Sequence, residues 1–320
     1  MKEKPVSGKR RLGFASLWMG LWLVFIGGAY LVPGYSLAAF TIFPAWTWIG
    51  IAVAPLAYRF RRYEPRVVAS LALVAVVLTL VTTEEWRSLV RLHAPPGKGS
   101  VRIVTLNCAS LTSSTEEVVP FRPDIVLLSE NPGRPACEAL ARRLFGSAGR
   151  AVVGPDGAIV CRAPLTQIDV PRGTSDFTAA TTSVAGVSIG LIALRLLPPE
   201  FNIELYNPEA WRKVAENRRA RREQIAKIAE WVKLHPDIRL MAGDYNAQPW
   251  DPSLGAMPRG FLDAFPRAGT GWGHTAVNDY PLARIDQIWT KRWKPTRVWI
   301  EKTVNSDHRM VIADFEAPER

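Results

Sequence analysis

The segment from 240 to 248 (LMAGDYNAQ) places an acid and an amide two residues apart, directly after an apolar run. Asp244 and Asn246 would project to the same side, because alternate residues of an extended chain share a face. Gly243 allows a close backbone approach, and the amide offers both a donor and an acceptor. Such a pair can hold a water molecule beside a phosphate oxygen. A plain strand-to-turn junction uses the same residue types, so this segment alone leaves both interpretations open.

Polar residues end or interrupt apolar runs at several further points along the chain. They are Asn107, Glu130, Arg195, Asp286, and Asp307 with His308. A charge near a sheet core is costly unless it is paired or bound to a cation, and several acids at one rim repel one another. Oxygen ligands without cysteine suit Mg²⁺ or Mn²⁺ rather than zinc. We therefore expect these side chains to gather at one rim and bind such an ion.

The elements that must position these residues are strands with intervening helices. We predict strands over 101–106, 123–130, 158–161, 238–242, 284–290, 296–302 and 310–315, a hairpin over 181–196, and helices over 135–145 and 208–234. Strands outnumber helices, which favours sheets packed face to face with helices outside. The predicted fold is α/β (α+β), a four-layer αββα sandwich of two mainly antiparallel sheets.

The predicted helix over 208–234 carries a run of basic residues. They lie at positions 212, 213, 218, 219, 221 and 222. Such a run usually forms a solvated face. Contact with a polyanion or with anionic lipid is the alternative.

The N-terminal third of the chain has a different composition from the rest. Residues 12–58 and 67–83 contain no Asp, Glu, Lys or Arg, which predicts membrane-spanning segments. We predict a transmembrane region over 1–92 with about three helices, at 14–32, 37–58 and 67–83. A linker over 93–100 would lead into a catalytic domain over 101–320.

The distribution of charge orients this region. Residues 1–98 hold 12 Lys/Arg and 4 Asp/Glu, whereas the remainder holds 28 and 25, so most of the net charge of +11 flanks the apolar runs. Basic ends mark the cytoplasmic side, and three spans then place the catalytic domain outside the cytoplasm. A two-span hairpin would place it inside, and a cleaved signal peptide is the other alternative for the first span. The mildly basic remainder shows no dedicated nucleic-acid footprint.

The three cysteines do not indicate either of two common site types. Cys108, Cys137 and Cys161 form no CxxC pair, so neither a zinc site nor a disulfide framework is indicated, although one pair could form.

Five short motifs in this order resemble the endonuclease/exonuclease/phosphatase superfamily, which includes DNase I-like nucleases, neutral sphingomyelinases and inositol polyphosphate 5-phosphatases. The motifs are Leu106-Asn107, Ser129-Glu130, Gly243-Asp-Tyr-Asn246, Arg284-Ile-Asp286 and Ser306-Asp-His308. The segment 158–165 also resembles a strand that is common in that group. The resemblance covers about 101–315 and implies metal-assisted hydrolysis of a phosphate ester.

The resemblance also implies a role for each residue. Glu130 would be the main metal ligand, with Asn107 and Asp307 near it. Asp244 would orient or deprotonate the attacking water, and Asn246 would hold a phosphate oxygen and steady Asp244. His308 would contact the phosphate, with Asp286 fixing its orientation and favouring its charged form. Taken singly, His308 could instead be a turn residue, and Asp286 could pair with Arg284.

Arg195 departs from the pattern of the group, in which His or sometimes Tyr precedes a Pro-containing loop. Arginine binds phosphate well but is a poor proton donor. The sequence thus predicts a multi-pass membrane phosphoesterase that uses Mg²⁺ or Mn²⁺ outside the cytoplasm on a phosphodiester or phosphomonoester such as a lipid head group. A nuclease and a non-catalytic phosphate-binding module are the alternatives. The expected partners are the substrate, phospholipid or nucleic acid, and the lipid bilayer, and no protein partner is indicated.

Overall fold

A computed structural model describes residues 14–32, 34–59, 65–92, 100–171, 177–200 and 204–316. Within these residues, two six-stranded sheets pack face to face. Their strand orders are β11-β12-β1-β2-β4-β3 and β5-β6-β7-β8-β10-β9. Helices cover both outer faces, so the predicted four-layer αββα sandwich is confirmed.

The strands are β1 (Val101–Asn107), β2 (Ile125–Ser129), β3 (Gly149–Val153), β4 (Ala158–Arg162), β5 (Leu165–Ile168), β6 (Phe177–Val184), β7 (Val187–Arg195), β8 (Ile238–Asp244), β9 (Leu262–Asp263), β10 (Asp286–Thr290), β11 (Pro295–Glu301) and β12 (Met310–Phe315). The helices are α1 (Phe14–Leu31), α2 (Ala45–Arg59), α3 (Pro65–Thr82), α4 (Glu85–Val90), α5 (Thr112–Glu116), α6 (Arg134–Phe145), α7 (Pro208–Lys233) and α8 (Ala264–Ala268). The sequence prediction missed β3, β5 and β9, which are short or partly exposed.

Three apolar cores hold the layers together. The central core lies between the sheets and includes Ile103, Leu127 and Leu240. A second core packs α7 on the outer face of the β8 sheet, and a third packs α6 on the outer face of the β1 sheet. Burial on both faces explains why β1, β2 and β8 are almost continuously apolar, because alternation is lost when neither face meets water.

Each sheet contains one parallel pair at its centre. β1 runs parallel to β2, and β7 runs parallel to β8, while the other paired strands are antiparallel. Parallel neighbours end at the same edge of a sheet, and polar residues at their carboxyl ends therefore meet. This pairing brings the predicted site residues to one rim.

The N-terminal region folds as three apolar helices. Among the described residues, helix Pro65–Thr82 is long and apolar enough to cross a membrane, and the apolar stretches Ser16–Leu31 and Ala45–Ala54 are shorter. The second helix begins at Ala45 and not at residue 37, because residues 36–42 form turns and Pro44 disfavours helical geometry at Phe43. The basic N-terminus, most of the basic 59–66 loop and residues 93–99 of the predicted linker lie outside the described residues.

The helical region contacts the sandwich through the connection between α1 and α2 and through the segment after α3. Trp250 Nε1 donates to the Thr41 carbonyl (2.9 Å), and Ala38 and Ala39 pack against Val214 of α7. After α3, the Arg91 guanidinium donates to the Gly269 carbonyl (2.8 Å). The ends of α1 and α3 therefore meet the domain on the same side.

Helix α7 does not carry the uniformly solvated basic face that we expected. Arg218 and Arg221 are buried, and both contact the carboxylate of Asp251. Arg212 pairs with acids of its own helix, and Arg219 lies over the ring of Tyr35. Sequence periodicity did not predict this burial, because the connection between α1 and α2 covers a face of α7 that would otherwise be exposed to solvent. Most of these charges bind within the protein, which weakens the case for a polyanion contact.

Candidate active site

Three polar residues lie side by side across the β8 sheet. Asp244 ends β8, and the strand register pairs it with Arg195 at the end of β7 and with Asp286 at the start of β10. Asp244 and Asp286 are each about 1% exposed. Two carboxylates on paired positions of neighbouring strands repel unless cations or donors lie between them.

The β1 sheet contributes an amide that connects the two sheets. Asn107 ends β1 opposite Ser129, and Glu130 follows β2 directly. The Asn107 Nδ2 group donates to Glu130 Oε1 (2.9 Å) and to Asp244 Oδ2 (3.1 Å). Its Oδ1 accepts from the backbone N–H of Ala109 (2.9 Å), and this bond fixes the orientation of the amide. Asn107 thus joins the acids of both sheets at one rim.

The loop before β12 brings His308 to the same rim. His308 Nδ1 lies 2.7 Å from Asp286 Oδ2, in the pairing that the sequence predicts. Ser306 holds the loop in place, because its hydroxyl donates to the Asn107 carbonyl (2.6 Å) and accepts from the His308 N–H (3.0 Å). Arg284 does not take Asp286 as its partner, since it pairs with Glu84 and Asp263 instead.

The backbone after β8 bends sharply and aims Asn246 at Asp244. Gly243 is required, because a Cβ atom there would lie 2.0 Å from the Leu194 carbonyl oxygen. Asn246 has a left-handed backbone (φ 49°), its N–H donates to Asp244 Oδ1 (2.8 Å), and its Nδ2 donates to the Leu196 carbonyl (2.8 Å). Glu130 is also left-handed (φ 43°). Strained backbone at two strand ends is typical of functional sites.

Arg195 lies at the mouth of the site and pairs with acids. Its Nη2 is 2.7 Å from Glu130 Oε1, and its Nη1 is 3.5 Å from Asp156 Oδ2. Asp156 is a site neighbour that sequence reasoning missed. The segment Pro155-Asp156-Gly157 predicts a turn and nothing more, and only the β3–β4 connection brings it to the rim.

Burial and neighbouring charges shift two pKa values in directions that suit catalysis. Burial, reinforced by the charge of Asp286, raises the pKa of Asp244 to about 7. Burial by itself lowers the pKa of His308, but the adjacent carboxylates of Asp286 and Asp244 outweigh this and raise it to about 10. At neutral pH the His308 imidazole is therefore a cation next to Asp244, which titrates near neutrality.

The donor set fits a hard divalent cation. Asp244, Asp286 and His308 offer ligand atoms within 4.8 Å of one another, and Asp286 Oδ1 is a buried acceptor with no hydrogen-bond partner among the described residues. Glu130 adds carboxylate oxygen atoms at the partly exposed side of the rim, and the buried Asn107 presents its amide nitrogen to Glu130 and Asp244. Carboxylate and amide oxygens are the ligands that Mg²⁺ and Mn²⁺ prefer. The densest group differs from the predicted ligand set of Glu130, Asn107 and Asp307.

The structure brings together seven of the eight predicted residues: Asn107, Glu130, Arg195, Asp244, Asn246, Asp286 and His308. Asp307 is exposed, and its charge acts on the pKa of His308. The roles given to all eight remain predictions. The three cysteines, Cys108, Cys137 and Cys161, are free and buried in the structure.

The sandwich is similar in fold to several solved structures. Humanised TDP2 of D. rerio is 17% identical with a TM-score of 0.51, over 68% of this chain and 100% of that chain. Truncated TDP2 of Caenorhabditis elegans is 18% identical (TM-score 0.51; 70% and 100% covered), and a protein of the endonuclease/exonuclease/phosphatase family from Bacteroides vulgatus is 16% identical (0.51; 68% and 99%). At such low identity these similarities show the fold alone.

A comparison with curated proteins finds no significant match. The profile of the Endonuclease/Exonuclease/phosphatase family matches residues 104–308, which is most of the sandwich and includes every predicted site residue. Members of this family are usually metal-dependent phosphoesterases or nucleases. The sequence motifs, the fold and the geometry of the rim agree with this match, and the chain belongs to the endonuclease/exonuclease/phosphatase family.

Proposed function

We propose that the chain is a membrane-anchored phosphoesterase that uses Mg²⁺ or Mn²⁺ to hydrolyse a phosphodiester or phosphomonoester, such as a lipid head group, outside the cytoplasm. The observation that carries the proposal is the single rim on which Asn107 bridges Glu130 and Asp244 beside the Asp286–His308 pair. Acids, an amide and a cationic imidazole at one rim suit hydrolysis better than simple anion binding, which needs no acids.

The residues divide the chemistry between them. Asp244 accepts a proton from, or orients, the attacking water, because a group with a pKa of about 7 can act as a base near neutral pH. The N–H of Asn246 holds Asp244 in place, and one of its two amide protons is directed at Leu196, so the other can donate to a phosphate oxygen.

His308 and Arg195 supply positive charge where the phosphate develops negative charge. Asp286 contacts Nδ1 of His308, which leaves Nε2 to donate to the phosphate. Arg195 would bind a phosphate oxygen without donating a proton. Glu130 would be the main ligand of a divalent cation, with Asn107 next to it, and when bound such an ion neutralises phosphate charge and polarises water.

The location outside the cytoplasm is part of the proposal, and two observations support it. First, the three N-terminal helices are apolar and expose many apolar side chains. Second, the charge pattern assigns the carboxyl ends of α1 and α3 to the outer side, and the segments that follow these ends contact the sandwich. A reporter fused after Arg320 is expected to be active only outside the cytoplasm. Activity of a reporter that works only in the cytoplasm would overturn the three-span topology.

A substrate panel tests the function. The full chain is given bis-p-nitrophenyl phosphate, sphingomyelin, inositol phosphates and plasmid DNA with Mg²⁺ or Mn²⁺, and with EDTA as the metal-free control. We expect cleavage of at least one phosphate ester that EDTA abolishes. Preferential cleavage of DNA would favour the nuclease, which the family description covers equally. No cleavage with any divalent ion would favour a non-catalytic phosphate-binding module.

A further inference from the structure

A cavity of about 320 Å³ lies beside the candidate active site, between the α1–α2 connection and the sandwich. One wall comes from Ile42, Phe43 and Pro44 of the connection, and the opposite wall includes Leu282 and Ile285 of the domain. The lining is mainly carbon, and the volume lies at the lower end of the range for small-molecule sites. The hydrolysis proposed above does not require this cavity.

The cavity and the active site share a wall. Asn246 lines the cavity, and its backbone N–H donates to Asp244 Oδ1 (2.8 Å). Ile285 lines the cavity as well, and it directly precedes Asp286 of the histidine pair. A substituent attached to a phosphate at the rim therefore has an apolar space directly beside it.

Two of the charged groups in the wall, Arg218 and Arg221, are already bonded within the protein, and the carboxylate of Glu200 is exposed at its edge. Arg218 contacts Asp251 (2.9 Å) and donates to Thr41 Oγ1 (2.7 Å). Arg221 donates to the Leu197 carbonyl (3.0 Å) and to Asn217 Oδ1 (2.7 Å). A sugar or a base needs several hydrogen-bonding partners when it is buried, and a hydrocarbon chain needs none. The lining therefore favours a hydrocarbon occupant.

The wall formed by the connection continues into apolar helices with exposed faces. On α1, the exposed fraction is 59–72% for Leu17, Leu21 and Val24. On α3, it is 64% for Leu73 and 59% for Val81. An amphiphile that inserts its chain among such side chains would present its head group on the side of the sandwich. The cavity lies at that junction.

We propose that this cavity binds the hydrocarbon chain of an amphiphilic phosphate ester, and that the substrate class is therefore lipid-like; this inference rests on the phosphoesterase function proposed above. The N-terminal helices then act in recognition as well as anchoring, because Ile42, Phe43 and Pro44 belong to their connection. The phosphate lies at the rim with Asp244 and His308, and the chain lies against Leu282 and Ile285.

The test uses p-nitrophenyl esters of methyl, propyl and hexyl phosphate with the full chain in lipid nanodiscs and Mg²⁺. We expect kcat/KM to rise roughly fourfold for each added methylene that is buried, and so about fifteenfold from methyl to propyl. Leu282→Asn should lower the hexyl-to-methyl ratio several-fold while it leaves cleavage of the methyl ester unchanged. Leu262→Asn is the matched control, because Leu262 is also 53% exposed but does not line the cavity.

The outcomes separate the two proposals. Equal kcat/KM for the three esters, or equal effects of the two variants, overturns the cavity assignment and leaves the phosphoesterase function intact. If none of these diesters is cleaved, the phosphodiester form of the proposed function fails. Calorimetric binding of hexylphosphonate compared with methylphosphonate then tests the cavity assignment independently of turnover. The cavity assignment is supported if hexylphosphonate binds more tightly than methylphosphonate and if Leu282→Asn removes this difference. Partitioning into the nanodisc affects both variants alike, so it cannot produce that difference.

Discussion

Two clusters of buried charged residues in this molecule differ in how their carboxylates are paired. In the first, Arg284 is almost fully buried and pairs with both Glu84 and Asp263, so that the N-terminal region is tied to the sandwich. In the second, the buried carboxylates of Asp244 and Asp286 lie on neighbouring strands with no arginine shared between them among the described residues, and Asp286 Oδ1 has no hydrogen-bond partner among those residues.

The contrast shows how a structural cluster differs from a reactive one. The two carboxylates that flank Arg284 bond its guanidinium directly, and these contacts raise the pKa of Arg284 against the effect of burial. At the rim, burial and acid–acid repulsion instead raise the pKa of Asp244 to about 7. An incompletely neutralised cluster costs stability and provides groups that can bind a cation or accept a proton.

The largest expected effect compares two buried acids, one from each cluster. Asp244→Asn should lower kcat by about three orders of magnitude, because it removes the proposed base, and should keep or raise the melting temperature. Asp263→Asn should instead leave kcat unchanged and lower the melting temperature, since it removes a charge that pairs with the buried Arg284. Steady-state kinetics and thermal denaturation measure both. Wild-type kcat in Asp244→Asn would disprove its role as the base.

The second effect removes the cation of the structural cluster. Arg284→Met leaves Glu84 and Asp263 close together without their shared partner, and we expect a loss of about 3–5 kcal/mol in the free energy of unfolding. Lys302→Met is the control, because the pair of Lys302 with Asp279 is exposed and should leave the melting temperature unchanged. Similar stability in the two variants would mean that the buried cluster does not hold the two regions together.

The third effect concerns pH. Turnover should need ionised Asp244 and protonated His308, so activity should rise as pH passes about 7 and fall as it passes about 10. Asp286 raises both pKa values, and Asp286→Asn should therefore move both limbs of the profile to lower pH. The pH dependence of kcat/KM measures this. A basic limb that stays in place would show that it does not report the Asp286–His308 pair.

The smallest effect tests Arg195. Its guanidinium contacts Glu130, the predicted main metal ligand, and repels a second cation there. Arg195→Ala should tighten Mg²⁺ binding to the metal-free chain by about fivefold, a size typical of a partly exposed ion pair. Arg195→Lys keeps the charge and should change the affinity less. Calorimetric titration measures both, and weaker Mg²⁺ binding in Arg195→Ala would mean that Arg195 supports the metal site.

The sequence predicted much of the rim for a definite physical reason. Asn107, Glu130 and Asp244 each follow a buried apolar strand, and the carboxyl ends of parallel strands must meet at one edge. The position of Asp156 could not be predicted in this way, because a Pro-Asp-Gly sequence predicts a turn but not where that turn lies in the fold. Arg218 and Arg221 were misplaced on a solvated face, since helix periodicity cannot show that another segment covers that face.

By itself, the sequence determined the layered fold, the apolar helices and the order of the polar strand ends, because these depend on local composition and periodicity. Tertiary structure alone decided which charges share a partner. It paired Arg284 with Glu84 and Asp263, and Arg195 with Glu130 and Asp156. It also placed residues 42–44 beside the active site. Partners separated by many residues in the chain are selected by packing and by the cost of burying an unpaired charge, and no local pattern in the sequence records that selection.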